Sequence, residues 1–580
     1  MQKKIKILLI VLCVALAKLL ISSTAMAAPV FGEKFSLVQP DGTYVDVKIY
    51  GDEFYQRVES LDGYTLVRDP LTEYICYAKL NSDGSDFEST GIVYMGQAFG
   101  PSIQSSEVMT KGLELDAEHI LKKVQASRER LGLVEDQTAF NSTDMDSTTN
   151  ALGGPQSILG ITIVIDFQDV TSPISTTEIN NYLNQPGYTG FGNNGSIRDY
   201  FFDVSGGMVD FSNVVFYYKS PNNKSYYDTN APLGLTTRAL IIEALNYLNA
   251  TDPSFRSILP QLTKDVRGDV MSLNVLYAGF PSWGGGRGLW SHAAGIPSHT
   301  VSGTSFSPYQ ITYIGNNLVL SRFAHEVGHS VFGFPDLYDI SYQTFGLGDY
   351  CLMAYGGSLF NPVPPTAQLR MAAGWTQPID LNGFSNGSTI TVQANALAPY
   401  KFSPNLNNEY YLIERLQQTG RYASVPGNGI VIYHVDTTKQ YNPSFEVSPT
   451  AHPFIYIVPA DMTTSVRSYV FPTGDNLYPF GSNNSFTSTS RPNVLLWNGA
   501  DPGLRMTNIS TSGTFIYNFV ASYKPGDING DGNVNIIDLN ILLGLFGQSG
   551  ANITNPRADL NGDGNVNIID LNILLGQFGT

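Results

Sequence analysis

The sequence predicts a multidomain fold: an α+β domain flanked by β-rich N-terminal and C-terminal domains and followed by a small all-α repeat pair. Three observations lead to this prediction. The chain of 580 residues is too long for one ordinary domain. Strand and helix patterns alternate in its middle, whereas short strands separated by turn residues dominate on both sides. Residues 526–580 contain two near-identical segments.

Residues 1–27 have the features of a secretory signal peptide. A lysine-rich start precedes an apolar run from Ile7 to Ala17, and Ala25-Met26-Ala27 offers a small-x-small cleavage site. An uncleaved membrane anchor is the alternative, although Lys18 leaves the run short for a span of about 20 residues. We therefore expect a secreted protein, extracellular or associated with the cell surface, without stable membrane insertion after cleavage.

Charge and composition exclude some function classes. The formal net charge of −17 repels phosphates, so we expect no nucleic-acid partner. A hydrophobic fraction of 42% with only 14% charged residues is typical of globular domains with cores rather than of disorder. The chain has 3 cysteines and one of them, Cys13, lies in the signal peptide, so a disulfide scaffold is excluded.

Residues 28–134 are interpreted as a β-rich propeptide, which makes the protein a zymogen. The alternating run from Tyr44 to Tyr50 predicts a strand, and a charged helix is expected over 114–131. A polar linker over 135–157 follows, where nicking would concentrate. Cys76 could silence a metal site as a thiolate, but its place in the middle of a strand favours a buried structural role.

The domain over residues 158–378 is expected to alternate strands and helices. The near-continuous apolar run from Ile158 to Phe167 predicts a strand buried on both faces. Residues 379–523 return to short strands with frequent turns, which predicts a β-sandwich-like accessory domain. The other elements expected in 158–378 are helices over 176–184, 236–249 and 317–332 and a strand over 272–277.

The most informative segment of the last of these helices runs from His325 to His329. Four residues on a helix advance about 400°, so both imidazoles lie on one face, about 6 Å apart along the axis. Both can then reach one zinc ion. Glu326 would lie beside the metal and could take a proton from a water. The alternative is a pair of solvated or core histidines on an ordinary helix.

Residues just after this helix support the metal-site interpretation. Gly333 can end the helix and turn the chain back. Asp336 then offers a carboxylate as a third ligand. Three protein ligands would leave a fourth zinc position open for water.

The segment from His325 to Asp339, HEVGHSVFGFPDLYD, resembles the HExGHxxGxPDxYD stretch of the immune-inhibitor-A-like zinc metallopeptidases, a metzincin-like family. The similarity extends over residues 30–525 and includes Ser196–Gly206, Trp290–His292 and Glu409–Glu414. It implies a metzincin-like catalytic domain in residues 158–378.

The resemblance implies His325, His329 and Asp336 as ligands of one zinc ion and Glu326 as the catalytic base. This chain has one residue more before Gly333 than the usual family spacing. Asp339 is therefore an alternative third ligand.

The resemblance also gives roles to two residues further along the chain. Met353, followed by a tight turn, matches the methionine that forms the hydrophobic floor below the zinc in metzincins. Tyr355 matches the place where some metzincins keep a tyrosine that reaches the zinc or the oxyanion. The implied activity is that of a zinc metalloendopeptidase, which hydrolyses peptide bonds in a protein or peptide substrate.

Residues 527–544 and 559–576 are near-identical repeats that differ only at Ile528 and Leu560. Each fits the Asp-x-Asn-x-Asp-Gly loop, which supplies oxygen ligands to a calcium ion at positions 1, 3, 5, 7, 9 and 12. We therefore expect two calcium ions. The expected ligands are Asp527, Asn529, Asp531, Asn533, Asn535 and Asp538, and then Asp559, Asn561, Asp563, Asn565, Asn567 and Asp570.

The repeat pair resembles a type I dockerin over residues 526–580. Dockerins bind cohesin modules and attach enzymes to extracellular scaffolds, so a cohesin-type scaffold is the implied partner. Ile536-Ile537 and Ile568-Ile569 stand where cohesin-binding members usually carry hydroxyl or polar residues. These apolar pairs could instead dock on another domain or pack together.

Two function classes are compatible with these sequence features. The first is a secreted zinc endopeptidase attached to an extracellular assembly through a calcium-binding dockerin. The second is a catalytically inactive metzincin-like binding or scaffold protein on the cell surface. The intact set of His325, Glu326 and His329 favours the first.

Overall fold

The computed structural model places most of the chain between residues 29 and 579. The predicted signal peptide, most of the predicted linker over 135–157 and Asp531 lie outside the described residues. Among the described residues, no helix combines the length and apolar character that crossing a bilayer needs. The described ranges are 29–52, 54–96, 109–130, 155–229, 231, 234–281, 288–342, 344–404, 408–439, 452–462, 473–520, 526–529, 533–550, 553–561 and 563–579.

The described residues fall into two compact units. One lies within residues 1–203 and 207–335, and the other within 204–206 and 336–580. The first unit contains two sheets, and the second contains two further sheets and the C-terminal repeat pair.

The first sheet is a six-stranded antiparallel meander in which sequential strands are neighbours. The alternation predicted for residues 44–50 is confirmed, because Val45, Val47 and Ile49 are buried while their neighbours are more exposed. The predicted charged helix begins at Ala117 instead of 114, because Asp116 accepts a hydrogen bond from the His119 amide (2.9 Å) and starts the first turn there. The elements are β1 (Val30–Val38), β2 (Tyr44–Gly51), β3 (Gln56–Ser60), β4 (Thr65–Arg68), β5 (Ile75–Leu80), β6 (Phe87–Val93) and α1 (Ala117–Arg130).

The second sheet has five strands in the order β10-β11-β9-β7-β8, and it confirms the predicted alternation of strands and helices. All neighbours are parallel except the edge strand β10, which is antiparallel to β11. The apolar run that begins at Ile158 lies on β7, between β9 and β8, with Ile161, Ile163 and Val164 fully buried. The strands are β7 (Gln156–Asp166), β8 (Val209–Lys219), β9 (Leu273–Ala278), β10 (His292–Val301) and β11 (Thr304–Ile314).

Among the described residues, six α-helices accompany the second sheet, and the last of them follows β11 directly. Every residue of this helix except Ser330 is buried, as expected for an element enclosed by the domain. The prediction of a helix from 317 was three residues too long at its start. The helices are α2 (Thr176–Asn184), α3 (Ile197–Val204), α4 (Lys224–Tyr227), α5 (Leu235–Thr251), α6 (Pro253–Ile258) and α7 (Leu320–Phe332).

The second unit begins with irregular chain and a short helix, and then forms two sheets that share one core. The five-stranded sheet has the order β12-β14-β15-β16-β17, and the three-stranded sheet has the order β13-β19-β18. Ile413 and Ile432 from the first pack in one cluster with Met506 and Phe515 from the second. The elements are α8 (Ala367–Ala372), β12 (Ile379–Asp380), β13 (Ser388–Thr391), β14 (Tyr400–Phe402), β15 (Glu409–Leu416), β16 (Gly429–Asp436), β17 (Ile455–Ile457), β18 (Leu504–Thr507) and β19 (Thr514–Phe519).

The C-terminal repeats form two helices, α9 (Ile536–Leu545) and α10 (Ile568–Gly576). Their small core is made from equivalent positions of both repeats, with Val534 and Leu542 from the first and Val566 and Leu574 from the second. Such a core supplies little stabilisation by itself, so the loops before the helices matter for the fold.

Candidate metal centre

Helix α7 is held at both ends by specific contacts. At its start, the buried Asn193 side chain accepts a hydrogen bond from the Leu320 amide (3.1 Å) and donates one to the Leu318 carbonyl (2.8 Å). At its end, Gly333 adopts a φ of 65°, which is accessible to glycine at little cost, and its amide bonds to the carbonyls of Gly328 and His329. The predicted role of Gly333 as the helix end is confirmed.

The two histidines of α7 point at one place. Their rings are 4.7 Å apart between centroids, and the two Nε2 atoms are separated by 3.0 Å. Two Zn–N bonds of about 2.0–2.1 Å at a tetrahedral angle would separate the nitrogens by about 3.3 Å. Both side chains are buried, so the pair is the inward-facing arrangement that a metal site requires.

A backbone contact fixes the orientation of His329. Its Nδ1 lies 2.5 Å from the carbonyl oxygen of Phe334, so Nδ1–H donates to that oxygen. The tautomer with a proton on Nδ1 leaves the Nε2 lone pair available to a metal. The chain that turns back after Gly333 therefore orients the ligand that precedes it.

Asp336 completes a group of three potential ligands. One ligand atom from each of His325, His329 and Asp336 lies within 4.8 Å of the other two. All three belong to one continuous segment of twelve residues, in which the amide of Phe334 bonds back to the carbonyl of Gly328 (2.9 Å). Two imidazoles and one carboxylate form a ligand set that fits zinc.

Asp339, the alternative third ligand, has another role. It is buried, its Oδ1 accepts hydrogen bonds from the amide and hydroxyl of Ser341, and its Oδ2 accepts from the amide and hydroxyl of Thr344, all at 2.7–3.0 Å. Burial raises the pKa of this carboxyl to about 6. Asp339 thus organises the loop that follows Asp336, and the structure groups Asp336 with the histidines instead.

The other residues predicted for the centre are Glu326, Met353 and Tyr355. Glu326 is fully buried and immediately follows His325 on α7. Met353 is fully buried, and its carbonyl accepts a hydrogen bond from the amide of Leu337 (2.6 Å), the residue after Asp336. Tyr355 packs edge-on against Phe345 at 5.1 Å between centroids, and its predicted role in catalysis stays a prediction.

Other histidines have protein partners. His292 lies between the Trp290 carbonyl and the Tyr309 hydroxyl, 2.8 Å from each, and burial lowers its pKa to about 4. His434 lies 2.8 Å from Glu409, and His452 lies 2.8 Å from Asp436. These side chains belong to the core of their domains.

Cys76 lies inside the first sheet, between β4 and β6, and is fully buried. Burial raises the pKa of its thiol, which keeps the sulfur protonated and a poor metal ligand. The structure therefore supports the structural role of Cys76 over the metal-silencing one.

Two residues with specific contacts on α7 were not predicted from the sequence. Asn193 caps α7 from a distant loop, and nothing in the sequence signals that contact. Arg322 lies seven residues before His329, so it shares the helix face of the ligands, and this spacing could have drawn attention to it.

The loops of the C-terminal repeats are organised around one buried aspartate each. Asp538 accepts hydrogen bonds from the amides of Asn529 (2.9 Å) and Asn535 (3.0 Å). Asp570 does the same for the amides of Asn561 (3.2 Å) and Asn567 (2.8 Å). Both carboxylates are fully buried, so each ties the start of its loop to the start of the following helix.

Further expected calcium ligands are found in the same loops. Asp559 accepts from the amide of Gly564 (2.8 Å), and Asp563 accepts from the amide of Asn565 (2.8 Å) and from the side chain of Asn561 (2.8 Å). In the first loop Asp527 is buried, and Asn533 and Asn535 lie within the described residues, whereas Asp531 does not. More of the expected calcium ligands are therefore described in the second loop than in the first.

Comparison with known proteins identifies the C-terminal region. Residues 525–578 match the family model described as the dockerin type I domain. Dockerin domains bind calcium and attach to cohesin partners. The matched dockerin region agrees with the sequence resemblance over 526–580, and it makes this a multidomain chain that ends in a dockerin.

The rest of the chain has weaker counterparts. No curated protein matches it. One solved structure with some likeness is the crystal structure of metalloproteinase-II from Bacteroides fragilis, with 12% identity over 54% of this chain and 79% of that chain. Its TM-score is 0.17, and a likeness of that size carries no argument about this chain. The immune-inhibitor-A-like resemblance stays a prediction from sequence.

Proposed function

We propose that the protein is a secreted zinc-dependent endopeptidase that its dockerin attaches to an extracellular cohesin-bearing assembly. The observation that carries the enzymatic part is the convergence of His325, His329 and Asp336 on one buried point, next to Glu326. A zinc ion held there would supply Lewis acidity, which lowers the pKa of a water and polarises the scissile carbonyl.

The residues of the chain have distinct tasks in this proposal. His325, His329 and Asp336 hold the ion, and the Phe334 carbonyl keeps His329 in the tautomer that binds metal. Glu326 takes the proton from the attacking water and delivers it to the leaving amine. Met353 closes the floor of the site, with its backbone tied to Leu337.

A metal analysis combined with a protease assay tests this function. We expect one zinc per chain and casein hydrolysis that 1,10-phenanthroline abolishes. His325→Ala should lose both zinc and hydrolysis, whereas the matched control His299→Ala should keep both, because His299 is bonded to Asn246 away from the centre. A purified wild-type protein that binds zinc without hydrolysing any protein would favour the inactive binding-protein alternative.

The dockerin part of the proposal rests on the two loops and on their exposed apolar pairs. Ile536, Ile537, Ile568 and Ile569 are 50–58% exposed, so the alternative in which these pairs pack together is wrong. A partner that covers them would present an apolar face. Calcium would hold each loop in the shape that displays its pair.

Calcium titration of the full chain tests the loops. Isothermal titration should give two calcium sites, and Asp570→Ala should leave one, because the buried carboxylate at loop position 12 is removed. The control Asn572→Ala changes an exposed residue of α10 and should leave both sites. Cohesin capture that is equally strong with calcium and after its removal would contradict the proposed attachment.

A further inference from the structure

Strand β1 is the edge strand of the first sheet. Two of its side chains contact the domain that contains α7, which is called the metal-site domain below. Glu33 and Phe35 are two residues apart and therefore face the same way. A β-bulge at Gly32, which adopts a φ of 77°, precedes Glu33 and Phe35 and changes the direction of the strand. Lys34, between them, is exposed on the opposite side.

The two side chains enter an aromatic depression on the metal-site domain. Phe35 is almost fully buried, 5.9 Å from the Trp290 ring and 6.2 Å from the Tyr313 ring between centroids. Glu33 forms an ion pair with the guanidinium of Arg322 (3.0 Å), which itself lies 4.3 Å above the Tyr313 ring. An acidic and an aromatic side chain thus fill one site made by Trp290, Tyr313 and Arg322.

Helix geometry relates this site to the metal centre. Arg322 precedes His325 by three residues and His329 by seven, so all three lie within about 60° of one another around α7. Along the axis, Arg322 is about 4.5 Å before His325. Arg322 therefore lies on the helix face of the two histidines, about one turn from His325 and about two turns from His329.

We infer that Trp290, Tyr313 and Arg322 form a substrate subsite for an acidic–x–aromatic peptide segment, and that β1 occupies this subsite as a built-in substrate mimic. This inference rests on the proposed peptidase function. It assigns the substrate class, an extended peptide with Glu or Asp two residues before Phe, Tyr or Trp. It also gives the N-terminal domain a mode of inhibition: β1 occupies the substrate site and so blocks the peptidase.

The charge of Arg322 supports a ligand site over ordinary packing. Its guanidinium is buried and needs an acidic partner. In this chain the partner is Glu33 on β1 of the first sheet, and the Glu33 side chain is itself partly exposed. Departure of β1 would leave a desolvated cation beside two aromatic rings. The indole Nε1 of the buried Trp290 adds a hydrogen-bond donor that has no acceptor among the residues the structure describes. An acidic and aromatic peptide pairs with the cation and packs against the rings of Trp290 and Tyr313, as Glu33 and Phe35 do.

The test uses the full chain with Glu326→Gln, which prevents self-digestion, and with a specific protease site placed in the linker so that β1 can be released after one cut. The probe is a fluorescent octapeptide with the sequence of residues 32–39, GEKFSLVQ. Anisotropy should show at least tenfold tighter peptide binding when the chain carries Glu33→Gln and Phe35→Ala, because its own strand no longer competes. Adding Arg322→Gln to those changes should abolish binding, whereas Lys34→Gln alone should behave as the wild type.

Equal peptide binding with and without Arg322→Gln, or no gain from weakening β1, would overturn the inference. A second measurement uses the cut chain with Glu326 intact. It should cleave peptides with the acidic–x–aromatic segment at least tenfold faster in kcat/KM than peptides with lysine in the acidic position, and Arg322→Gln should remove this preference. Cleavage without any preference contradicts the subsite alone, whereas peptide binding without any cleavage contradicts the proposed peptidase function alone.

Discussion

At the scale of single residues, the centre depends on which aspartate faces the histidines. Asp336 and Asp339 are three residues apart and both follow the helix, so the sequence left the choice open. The structure separates them by their partners: Asp336 groups with His325 and His329, whereas four hydrogen bonds hold Asp339 in its loop.

The two aspartates should respond differently to substitution. Asp336→Ala should weaken zinc binding by more than about 100-fold, since even the loss of outer hydrogen-bond partners costs about 10–100-fold. Asp339→Asn should keep zinc and lower the free energy of unfolding by about 1–3 kcal/mol, because an amide cannot accept all four bonds. Zinc titration and urea denaturation of both variants check this, and a zinc loss confined to Asp339→Asn would reverse the assignment.

His292 predicts how stability depends on pH. Burial lowers its folded-state pKa from 6.5 to about 4, so the neutral form is favoured on folding. Its contribution is fully present above pH 6.5 and is lost as pH falls from 6.5 to 4, by up to about 3 kcal/mol. His292→Gln should therefore lose less unfolding free energy than the wild type between pH 7 and pH 4.5 in urea denaturation. His299→Gln is the control, and identical pH slopes for all three proteins would disprove the effect.

At the scale of elements, α7 and the turn after it act together. The helix carries two of the three candidate ligands, and the turn at Gly333 leads back to the third and to the carbonyl that orients His329. A change in the turn should therefore affect the metal as well as stability.

A pair of glycine substitutions separates these two effects. Gly333 and Gly374 have φ values of 65° and 70°, so alanine at either position should lower the free energy of unfolding by about 1 kcal/mol. Only Gly333→Ala should also weaken zinc binding, because its turn leads to Asp336. Thermal unfolding and zinc titration measure the two quantities, and equal zinc affinities in both variants would show that the turn does not position Asp336.

The sequence predicted helices and strands well where hydrophobic periodicity or a local motif determines them. Helix 176–184 is reproduced, and the His325 to His329 spacing placed both imidazoles on one face as expected. The start of α7 was missed because a cap from Asn193, more than a hundred residues earlier, sets it. Arg322 was missed for a related reason, since its partner Glu33 lies far away in the sequence, on β1 of the first sheet.

At the scale of the whole molecule, the chain combines three tasks in separate regions. We propose that the N-terminal sheet covers a substrate site beside α7, that the residues around α7 hold zinc, and that the dockerin supplies calcium-dependent attachment. Among the described residues of the two repeats, the exposed large apolar side chains are Ile536, Ile537, Ile568 and Ile569, together with Leu543, Phe546, Leu575 and Phe578. We expect that zinc and calcium can be removed independently.

The central claim is that Glu326 moves protons at a zinc ion held by its neighbours. The most direct test measures zinc content and peptide hydrolysis together in wild type and Glu326→Gln, both cut in the linker. We predict one zinc per chain in both proteins and a loss of about 10²–10⁴-fold in kcat/KM for the variant. Full hydrolysis by a Glu326→Gln protein that retains its zinc would contradict the account.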